Sequence, residues 1–363
     1  MVGSAADAAS VVSAIPWRLL PEGSRARPVT ATDVLNRLMI AIVTLFGVAV
    51  IVFVLIRVVP GDPIAMMIAP GASADDIAAL RARYGLDASI PVQFGLWLQG
   101  VVAGDFGTSI SMRRPALEIV ASRLPATIEL AVLAITVAVL GGSAVAIAST
   151  LLRRSRLSGL FDGINSLFIS IPDFIWAFVL VLLFGFALPV LPLTGRIDPS
   201  IQVPFTTRFY LSEAVLTGNL AIARDVLAHM LMPTLALALP LAAVIGRVLR
   251  QSLNEAMVQD YVTLARIKGH SELRLVLQEA LRNAVGPTLA LTGVQFTFLV
   301  GGTVIVERIF AYPGVGNLAI DAVINRDFPL IQCIVLTFGL IFIVVNIVVD
   351  MLAVALNPRL RHG

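Results

Sequence analysis

The sequence predicts an all-α, polytopic membrane protein with six transmembrane helices. Of the 363 residues, 58% are hydrophobic and only 13% are charged. Six apolar stretches are close to or above the roughly 20 residues that cross a bilayer as a helix. None of these stretches contains an internal Asp, Glu, Lys or Arg. The predicted spans are Leu38–Ile56, Leu130–Leu152, Phe174–Leu193, Met230–Gly246, Asn283–Val306 and Phe328–Val349.

The composition excludes several other classes of protein. A soluble globular domain carries about 25% charged residues, well above the fraction found here. Disordered chains are rich in charge and poor in branched apolar residues, so disorder is excluded as well. Cys333 is the only cysteine, which excludes a disulfide framework and a multi-cysteine metal site. The net charge is +3 and Lys268 is the only lysine, so no nucleic-acid partner is expected.

The basic residues orient the predicted spans. With the N-terminus in the cytoplasm, 15 of the 26 Lys and Arg residues fall in cytoplasmic segments and 11 in outside loops. Because cytoplasmic loops carry an excess of Lys and Arg, both termini are expected in the cytoplasm. Residues 1–34 are expected to form a cytoplasmic tail. The apolar run Val11–Ile15 is too short for the core of a cleaved signal sequence.

The first outside loop spans residues 60–125. It opens with the rigid turn Pro60-Gly61-Asp62-Pro63, and Ser73 is predicted to begin a short helix that ends at Gly85. Phe94, Trp97 and Leu98 form a second apolar stripe. The loop is too short for a core of its own, so it is expected to cap the outer face. It is either a docking surface for an extracytoplasmic partner or simple loop packing.

The cytoplasmic loop 253–285 is predicted to contain two helices separated by Gly269. Ser271 is a suitable N-cap for the second helix. Such a rigid knob is suited to insertion into a groove on another protein, or to lying flat on lipid headgroups. The residues themselves leave both alternatives open. The apolar positions are Met257, Tyr261, Leu264 and Ala265 in the first helix, and Leu273, Val276, Leu277 and Ala280 in the second.

The residue inventory argues against enzymes and against self-powered transporters. The only lysine, Lys268, does not follow a glycine, so the phosphate-binding loop Gly-x-x-x-x-Gly-Lys-Ser/Thr does not occur. A zinc-protease motif His-Glu-x-x-His does not occur either, and His229 is the only histidine near a span. The predicted spans contain no repeated channel filter and no central ionisable residue for ion coupling. No catalytic residue, metal site or cofactor is expected.

The segment from Tyr261 to Gly269 resembles the cytoplasmic coupling loop of ATP-binding-cassette importer permeases. That loop follows the general pattern Glu-Ala-Ala, three residues, Gly, nine residues, then Ile-x-Leu-Pro. Ala265, Gly269 and Leu281 match this pattern, whereas Thr263-Leu264 replaces Glu-Ala and Arg282 replaces the Pro. The departures are similar to the dipeptide, oligopeptide and nickel branch, which often has Ala-Arg-x-Lys-Gly.

Further motifs from about Leu35 to Arg361 also resemble that branch and occur in the expected order. They are Pro60-Gly61-Asp62-Pro63, Gly104-Asp105-Phe106-Gly107-x-Ser109, Leu124-Pro125-Ala126-Thr127-x-Glu129-Leu130, Ser170-Ile171-Pro172-x-Phe174, Val306-Glu307-x-Ile309-Phe310-x-Tyr312-Pro313-Gly314-x-Gly316, Arg326-Asp327-Phe328-Pro329-Leu330 and Asn357-Pro358-Arg359-Leu360-Arg361. The resemblance implies a permease domain over residues 35–361 with the type I importer fold in the bacterial inner membrane. It also implies a second homologous permease, two cytoplasmic ATP-binding subunits that hydrolyse ATP, and an extracytoplasmic solute-binding protein.

The resemblance assigns expected roles to particular residues. Gly269 is expected to provide the sharp turn of the coupling loop, and Ala265 to permit close approach to the partner. Asp173 either lines the translocation path, where it would attract a peptide amino group, or is a helix-end carboxylate near headgroups, or pairs with an Arg of the partner permease. The ATPase-coupling residues are Tyr261, Leu264, Ala265, Arg266, Lys268, Gly269 and Leu281. The residues expected at the outer mouth or in contact with the binding protein are Glu307, Tyr312, Pro313, Gly314 and Gly316.

The expected substrate is implied by the resemblance to the dipeptide, oligopeptide and nickel branch, and not by any one residue. A peptide is favoured, with nickel complexes or another small solute as alternatives. An ATP-independent channel or secondary carrier is the less favoured function. Glu129 and Asp350, near the ends of the second and sixth predicted spans, are expected to be structural.

Overall fold

The computed structural model describes residues 31–58, 88–153, 155, 157–202 and 205–356, and contains no β-strand within them. The turn at Pro60, the helix expected after Ser73 and the closing Asn357–Arg361 motif lie outside the described residues. The helices are α1 (Ala31–Val58), α2 (Ile90–Val102), α3 (Ala116–Leu151), α4 (Leu157–Ser170), α5 (Asp173–Leu180), α6 (Tyr210–Leu216), α7 (Leu220–Met257), α8 (Asp260–Ile267), α9 (Leu281–Ile309), α10 (Val315–Ile324) and α11 (Phe328–Leu356).

Two helices are extended by non-standard segments. Helix α5 continues as a π-helical stretch over Val181–Ala187. Helix α9 is preceded by the helical turn Glu272–Arg274 and by a π-helical stretch over Leu275–Ala280. The chain therefore runs helically from Glu272 to the end of α9.

Four described helices are long and apolar enough to cross a membrane, and up to six spans result if each of two bent helix pairs counts as one. The four lie within α1, α3, α7 and α11. One bent pair is α4 with α5 and its π-helical extension, and the other joins Glu272–Leu299 to Gly301–Ile309 at an angle of 53°. The predicted count of six therefore depends on these two pairs.

The third predicted span agrees with the structure at its beginning and differs at its end. We expected one helix over Phe174–Leu193; α5 begins at Asp173, and its π-helical extension ends at Ala187. A separate helix, α4, precedes α5 across a bend of 103° that the sequence did not predict. Asp162 interrupts the apolar run in the sequence, which is why the prediction omitted α4. Pro172 causes the break, since proline lacks the backbone N–H that continues a helix and disfavours helical geometry at Ile171.

Helices α3 and α7 form the central pair of the bundle and touch through their backbones. A Cβ atom on Gly142 would collide with the carbonyl group of Ala242, and one on Gly246 would lie 2.9 Å from the carbonyl oxygen of Gly142. Small residues at helix crossings are the usual means of close packing in a membrane, where lipid supplies no hydrophobic drive for association. Helices α4, α5, α6 and α9 all pack against α7.

The predicted stripe of Phe94 and Trp97 lies on α2. Both rings pack against Phe53 of α1, with centroid distances of 5.1 and 5.4 Å. The guanidinium group of Arg57 donates a hydrogen bond to the Gln93 side chain at 2.9 Å. Aromatic packing therefore attaches α2 to α1, while its opposite face, including Val92 and Leu96, is exposed.

The adjacent glycines 141 and 142 provide a matched test of the central helix pair. A Cβ atom on Gly141 meets nothing within 4 Å, whereas one on Gly142 meets the backbone of α7. We expect Gly142→Ala to destabilise the protein by about 1–3 kcal/mol through overpacking. Gly141→Ala should be neutral or stabilising by up to about 1 kcal/mol, because alanine is the better helix former. Thermal unfolding of the purified protein checks both, and equal melting temperatures would contradict the packing described here.

Candidate functional site

The segment 253–285 folds into a hairpin at one end of the bundle, which we call the hairpin end. After α7 ends at Met257, α8 runs over Asp260–Ile267 and the chain reverses at Gly269, whose φ is +85°. A residue with a Cβ atom is strained by about 1–2 kcal/mol in that left-handed conformation, so glycine fits the turn. The Ser271 hydroxyl then accepts a hydrogen bond from the Arg274 N–H at 3.4 Å, as an N-cap does.

One face of the hairpin is packed into the protein. Val262 and Ala265 of α8 are buried in one cluster with Leu275 and Val276 of the helical segment that returns after Gly269. Leu253 at the end of α7 belongs to the same cluster. Ala146 of α3 belongs to the same apolar cluster. The hairpin is therefore packed against the ends of α3, α7 and α9.

The other face of the hairpin is an exposed row of apolar side chains, which we call the apolar ridge. It consists of Val258, Tyr261, Leu264 and Ile267, spaced three residues apart. Val258 and Ile267 are 74% and 79% exposed, so no other part of the described chain covers this row. An exposed apolar patch of this kind is characteristic of a docking surface.

The structure divides the expected coupling residues between these two faces. Tyr261 and Leu264 lie on the apolar ridge, while Arg266 and Lys268 are exposed beside it. The Arg266 guanidinium pairs with Glu272 at 3.2 Å, which ties the two sides of the hairpin together.

Two of the expected coupling residues belong to the inner face of the hairpin. Ala265 is buried, and Leu281 is partly buried against the same apolar cluster. Conversely, sequence reasoning missed Val258 and Ile267. Their three-residue spacing with Tyr261 and Leu264 was visible, but both faces of α8 carry apolar residues, and only the packing shows which face is covered.

At the far end of the bundle, Glu307 at the end of α9 lies buried under the turn that follows it. Its carboxylate accepts hydrogen bonds from the Thr127 hydroxyl at 2.8 Å and from the Asn317 N–H at 2.9 Å. A Cβ atom on Gly314 would collide with that carboxylate, and one on Gly316 would lie 2.7 Å from Cα of Val304. Both glycines therefore let the turn close over Glu307.

The residues expected at the outer mouth or in contact with the binding protein form the inside of this turn. Glu307, Tyr312, Gly314 and Gly316 are all buried, and Pro313 is half-exposed. The four buried residues hold the turn against α3 and α9 from inside.

A second buried carboxylate at the far end is Glu129 of α3. It forms an ion pair with Arg196 at 2.6 Å, and each side chain is 5% exposed. Glu129 also accepts hydrogen bonds from the N–H and the hydroxyl of Ser212, both at 2.9 Å. The Arg196 guanidinium lies over the Tyr210 ring, 4.1 Å from its centroid. Glu129 therefore anchors the 188–210 connection, as its predicted structural role requires.

A third buried carboxylate, Asp327, joins two motifs that are far apart in the sequence. It accepts hydrogen bonds from the Ser109 hydroxyl at 2.5 Å and from the N–H and hydroxyl of Ser111 at 3.0 and 2.7 Å. A Cβ atom on Gly107 would lie 3.3 Å from Cβ of Pro329 in the same contact. The Gly-Asp-Phe-Gly and Arg-Asp-Phe-Pro motifs thus form one contact.

Asp173 stands where the two bent helix pairs meet. It is the first residue of α5, and its carboxylate accepts a hydrogen bond from the Phe174 N–H at 2.8 Å. The other carboxylate oxygen lies 3.8 Å from the Cβ position of Gly302, close to the bend of α9. Half-buried at this junction, Asp173 is placed between two discontinuous helices, where transporters commonly position substrate groups.

The described part of the chain has no group of three or more His, Cys, Asp or Glu side chains placed to hold a metal ion. The His229 ring contacts its own helix, with Nδ1 2.9 Å from the carbonyl oxygen of Asp225. His270 lies 4.0 Å from a carboxylate oxygen of Glu279 within the hairpin.

Comparison with known proteins identifies the class. Residues 138–362 match the family described as binding-protein-dependent transport system inner membrane component, and residues 32–131 match the N-terminal domain of the same membrane components. The chain therefore belongs to this family of ABC importer permeases, as the sequence motifs indicated. It is a multi-pass transport subunit of the inner membrane and not an enzyme, and ATP hydrolysis resides on partner subunits. The family implies ATPase, binding-protein and permease partners.

Particular relatives have narrower names. The glutathione transport system permease protein GsiC of Salmonella paratyphi A is 38% identical over 329 residues, covering 91% of this chain and 98% of the relative. The protein of the same name from Escherichia coli K12 is 36% identical with the same coverage. A crystal structure of an amino acid ABC transporter with histidines matches 65% of this chain and 93% of that one, with a TM-score of 0.45 and 16% identity.

Removing the charge of Glu129 should destabilise the far end of the bundle. Glu129→Gln leaves Arg196 buried without its counter-ion, a loss of about 3–5 kcal/mol. Glu118→Gln is the matched control, because the exposed Arg114–Glu118 pair contributes about 0–1 kcal/mol. Thermal unfolding of both variants checks this. If Glu129→Gln melts like the control, the ion pair does not anchor the connection.

Thr127 should be essential to the turn over Glu307, because its hydroxyl also accepts a hydrogen bond from the buried Val315 N–H at 2.8 Å. We expect Thr127→Val to cost about 1–3 kcal/mol, since it orphans that buried donor. Thr136→Val removes only a hydroxyl that is bonded to the Val132 carbonyl of its own helix. The melting temperature should therefore fall in the first variant only, and a fall of equal size in both would contradict the proposed contact.

Proposed function

We propose that this chain is the permease subunit of an ATP-driven importer for short peptides and that its hairpin couples it to an ATPase. The observation that carries the coupling role is the apolar ridge, which is exposed on a rigid hairpin. The relatives that support the substrate are named for transport of glutathione, which is itself a tripeptide. A permease of this kind forms half of a translocation pathway, and a second homologous permease forms the other half.

The apolar ridge fits a groove on an ATP-binding subunit better than a lipid surface. Tyr261 and Leu264 stand at its centre, and the charges around it have both signs, with Asp260 and Glu272 opposing Arg266 and Lys268. A helix that binds anionic headgroups has a predominantly basic polar face. A helix that inserts into a protein groove presents apolar anchors three or four residues apart, as this one does.

Movement of the hairpin can reach the opposite end of the molecule. The buried hairpin residues are continuous with the helical path that begins at Glu272 and ends at Ile309. At that end, Glu307 is hydrogen-bonded to Thr127 of α3, so α9 and α3 are joined both near the hairpin and far from it. We infer that closure of the ATPases displaces the hairpin and tilts these helices, which alternately opens the pathway to each side.

The pathway itself is assigned to the junction of the bent helices. Asp173 supplies a carboxylate beside the bend of α9 and is the proposed contact for a peptide amino group. If the α4–α5 pair is one span, Asp173 stands within it, and a charge that faces lipid there costs about 3 kcal/mol, which favours a position facing an aqueous path. The residues on this path from the second permease complete the site.

The orientation follows from the coupling role. If the hairpin contacts cytoplasmic ATPases, the hairpin end is cytoplasmic, and so are both termini. The buried carboxylates Glu129, Glu307 and Asp327 then lie at the outer end, where the solute-binding protein docks. Residues 60–125, which include α2, are the proposed outside loop, and residues 35–361 are the proposed permease domain.

A charge on the apolar ridge should uncouple the permease from its ATPases. We expect Leu264→Glu to lower binding-protein-stimulated ATP hydrolysis and glutathione uptake in proteoliposomes at least tenfold, because a carboxylate would be desolvated in the partner groove. Leu264→Met keeps an apolar side chain of similar volume at the same position and should leave both rates near wild type.

Assembly is measured on the same preparations by co-purification of the ATP-binding subunits. Loss of these subunits together with loss of activity supports docking on the ridge. Normal ATPase stimulation and normal uptake in Leu264→Glu would refute the coupling role. Uptake by the chain in the absence of any ATPase would instead identify a channel or secondary carrier.

A further inference from the structure

A cavity of about 650 Å³ lies beside the hairpin and shares only Val258 with the apolar ridge. Its walls are the hairpin-end portions of α3, α4 and α7, so it is formed within a single chain. Cavities of roughly 300–1,000 Å³ accommodate small organic ligands, and this volume suits a di- or tripeptide. Its charged and amide-bearing lining residues include Asp162, Asn165, Arg247, Arg250, Asn254 and Glu255.

The charges in the cavity leave one cation available. The Arg250 guanidinium pairs with Asp162, which joins α7 to α4 across the cavity. Glu255 accepts a hydrogen bond from the Gln251 side chain at 3.1 Å. Arg247 is exposed, and it has no hydrogen bond or ion pair with any residue that the structure describes.

We propose that this cavity binds a small zwitterionic solute through its carboxylate, with Arg247 as the anchoring residue. A guanidinium group presents paired N–H donors that match a carboxylate in a bidentate arrangement. Because Asp162 is already paired with Arg250, the Glu255 carboxylate is the group that favours a ligand with an ammonium group and disfavours a doubly charged phosphate. A short peptide with free termini satisfies both requirements.

The position of the cavity connects it to the coupling hairpin. Val258 lines the cavity and is also the first residue of the apolar ridge. A bound solute contacts α4 and α7 together and restricts how far α7 can move relative to α4. This inference rests on the proposed function, which places the hairpin end in the cytoplasm, and it makes the cavity a site that senses peptide on the cytoplasmic side.

The single cysteine of the chain allows a direct test by site-specific labelling. Cys333 is fully buried, so Asn165→Cys introduces one accessible thiol in the cavity wall. The intact importer complex in phosphatidylcholine nanodiscs is labelled with N-ethylmaleimide, without ATP or binding protein, and labelling of this chain is followed by mass spectrometry. We expect trialanine to slow labelling at least fivefold, and trialanine amide, which lacks the carboxylate, to have no effect.

Substitution of Arg247 tests whether its guanidinium group is the cation that binds the peptide carboxylate. In the Asn165→Cys background, Arg247→Gln should abolish protection by trialanine and Arg247→Lys should retain part of it. Arg282→Gln is the matched control, since Arg282 is an exposed arginine at the hairpin end that does not line the cavity. Full protection in Arg247→Gln would overturn the proposal.

Two further controls distinguish protection by peptide at the cavity from a general effect of the peptide or the lipid on labelling. Gly159→Cys places a thiol on α4 outside the cavity, where a Cβ atom meets nothing within 4 Å, and trialanine should not protect it. Equal protection at this position would overturn the proposal. If nanodiscs containing phosphatidylglycerol protect Asn165→Cys without peptide, and Arg247→Gln removes that protection, the cavity binds lipid phosphate and the proposal fails.

Failure of the cavity site is distinguishable from failure of the proposed function. Labelling requires neither ATP hydrolysis nor transport, whereas the proposed function is tested by uptake and by ATPase stimulation. A complex that imports glutathione but shows no trialanine protection refutes the cavity site alone. Protection in a complex without peptide uptake refutes the importer role and retains the site.

Discussion

The backbone contact between α3 and α7 at Gly142 and Gly246 is the interaction on which the other helices depend. It allows two helices of 36 and 38 residues to lie side by side over most of their length. Helices α4, α5, α6 and α9 then pack on α7, and the hairpin closes over the ends of both central helices. In a membrane, this close approach replaces the hydrophobic drive that assembles soluble bundles.

Buried carboxylates fix the far end of the molecule in a different way. Glu129, Glu307 and Asp327 each accept hydrogen bonds from segments that are distant in the sequence. A buried carboxylate without partners costs several kcal/mol, so each one holds its donors in a unique arrangement. The short polar motifs of the sequence that contain these residues therefore make contacts between connections that are distant in the sequence.

The two ends of the bundle therefore have complementary properties. The hairpin end is fixed internally by apolar packing and leaves the apolar ridge uncovered, while the far end buries its polar anchors. Because α9 and the preceding helical turn connect these ends, the proposed ATPase contact at Leu264 and the turn over Glu307 are parts of one mechanical unit. The bends at Pro172 and near Gly302 lie between them, where α4 and α5 change direction beside Asp173.

The sequence by itself determined the family, the all-α class, the approximate positions of most spans, and the hairpin with its turn at Gly269 and its cap at Ser271. These features depend on apolar run length and on the conformational preferences of single residues, which are local properties. The tertiary structure alone decided that Ala265 faces inward while Val258 and Ile267 face outward, and that Glu307 and Tyr312 are buried. It also showed that a further helix, α4, precedes α5 across a bend at Pro172, and Asp162 had concealed that helix in the sequence. These outcomes depend on which distant helices pack against each face, and apolar residues on both sides of a short helix carry no local signal that distinguishes the face to be covered.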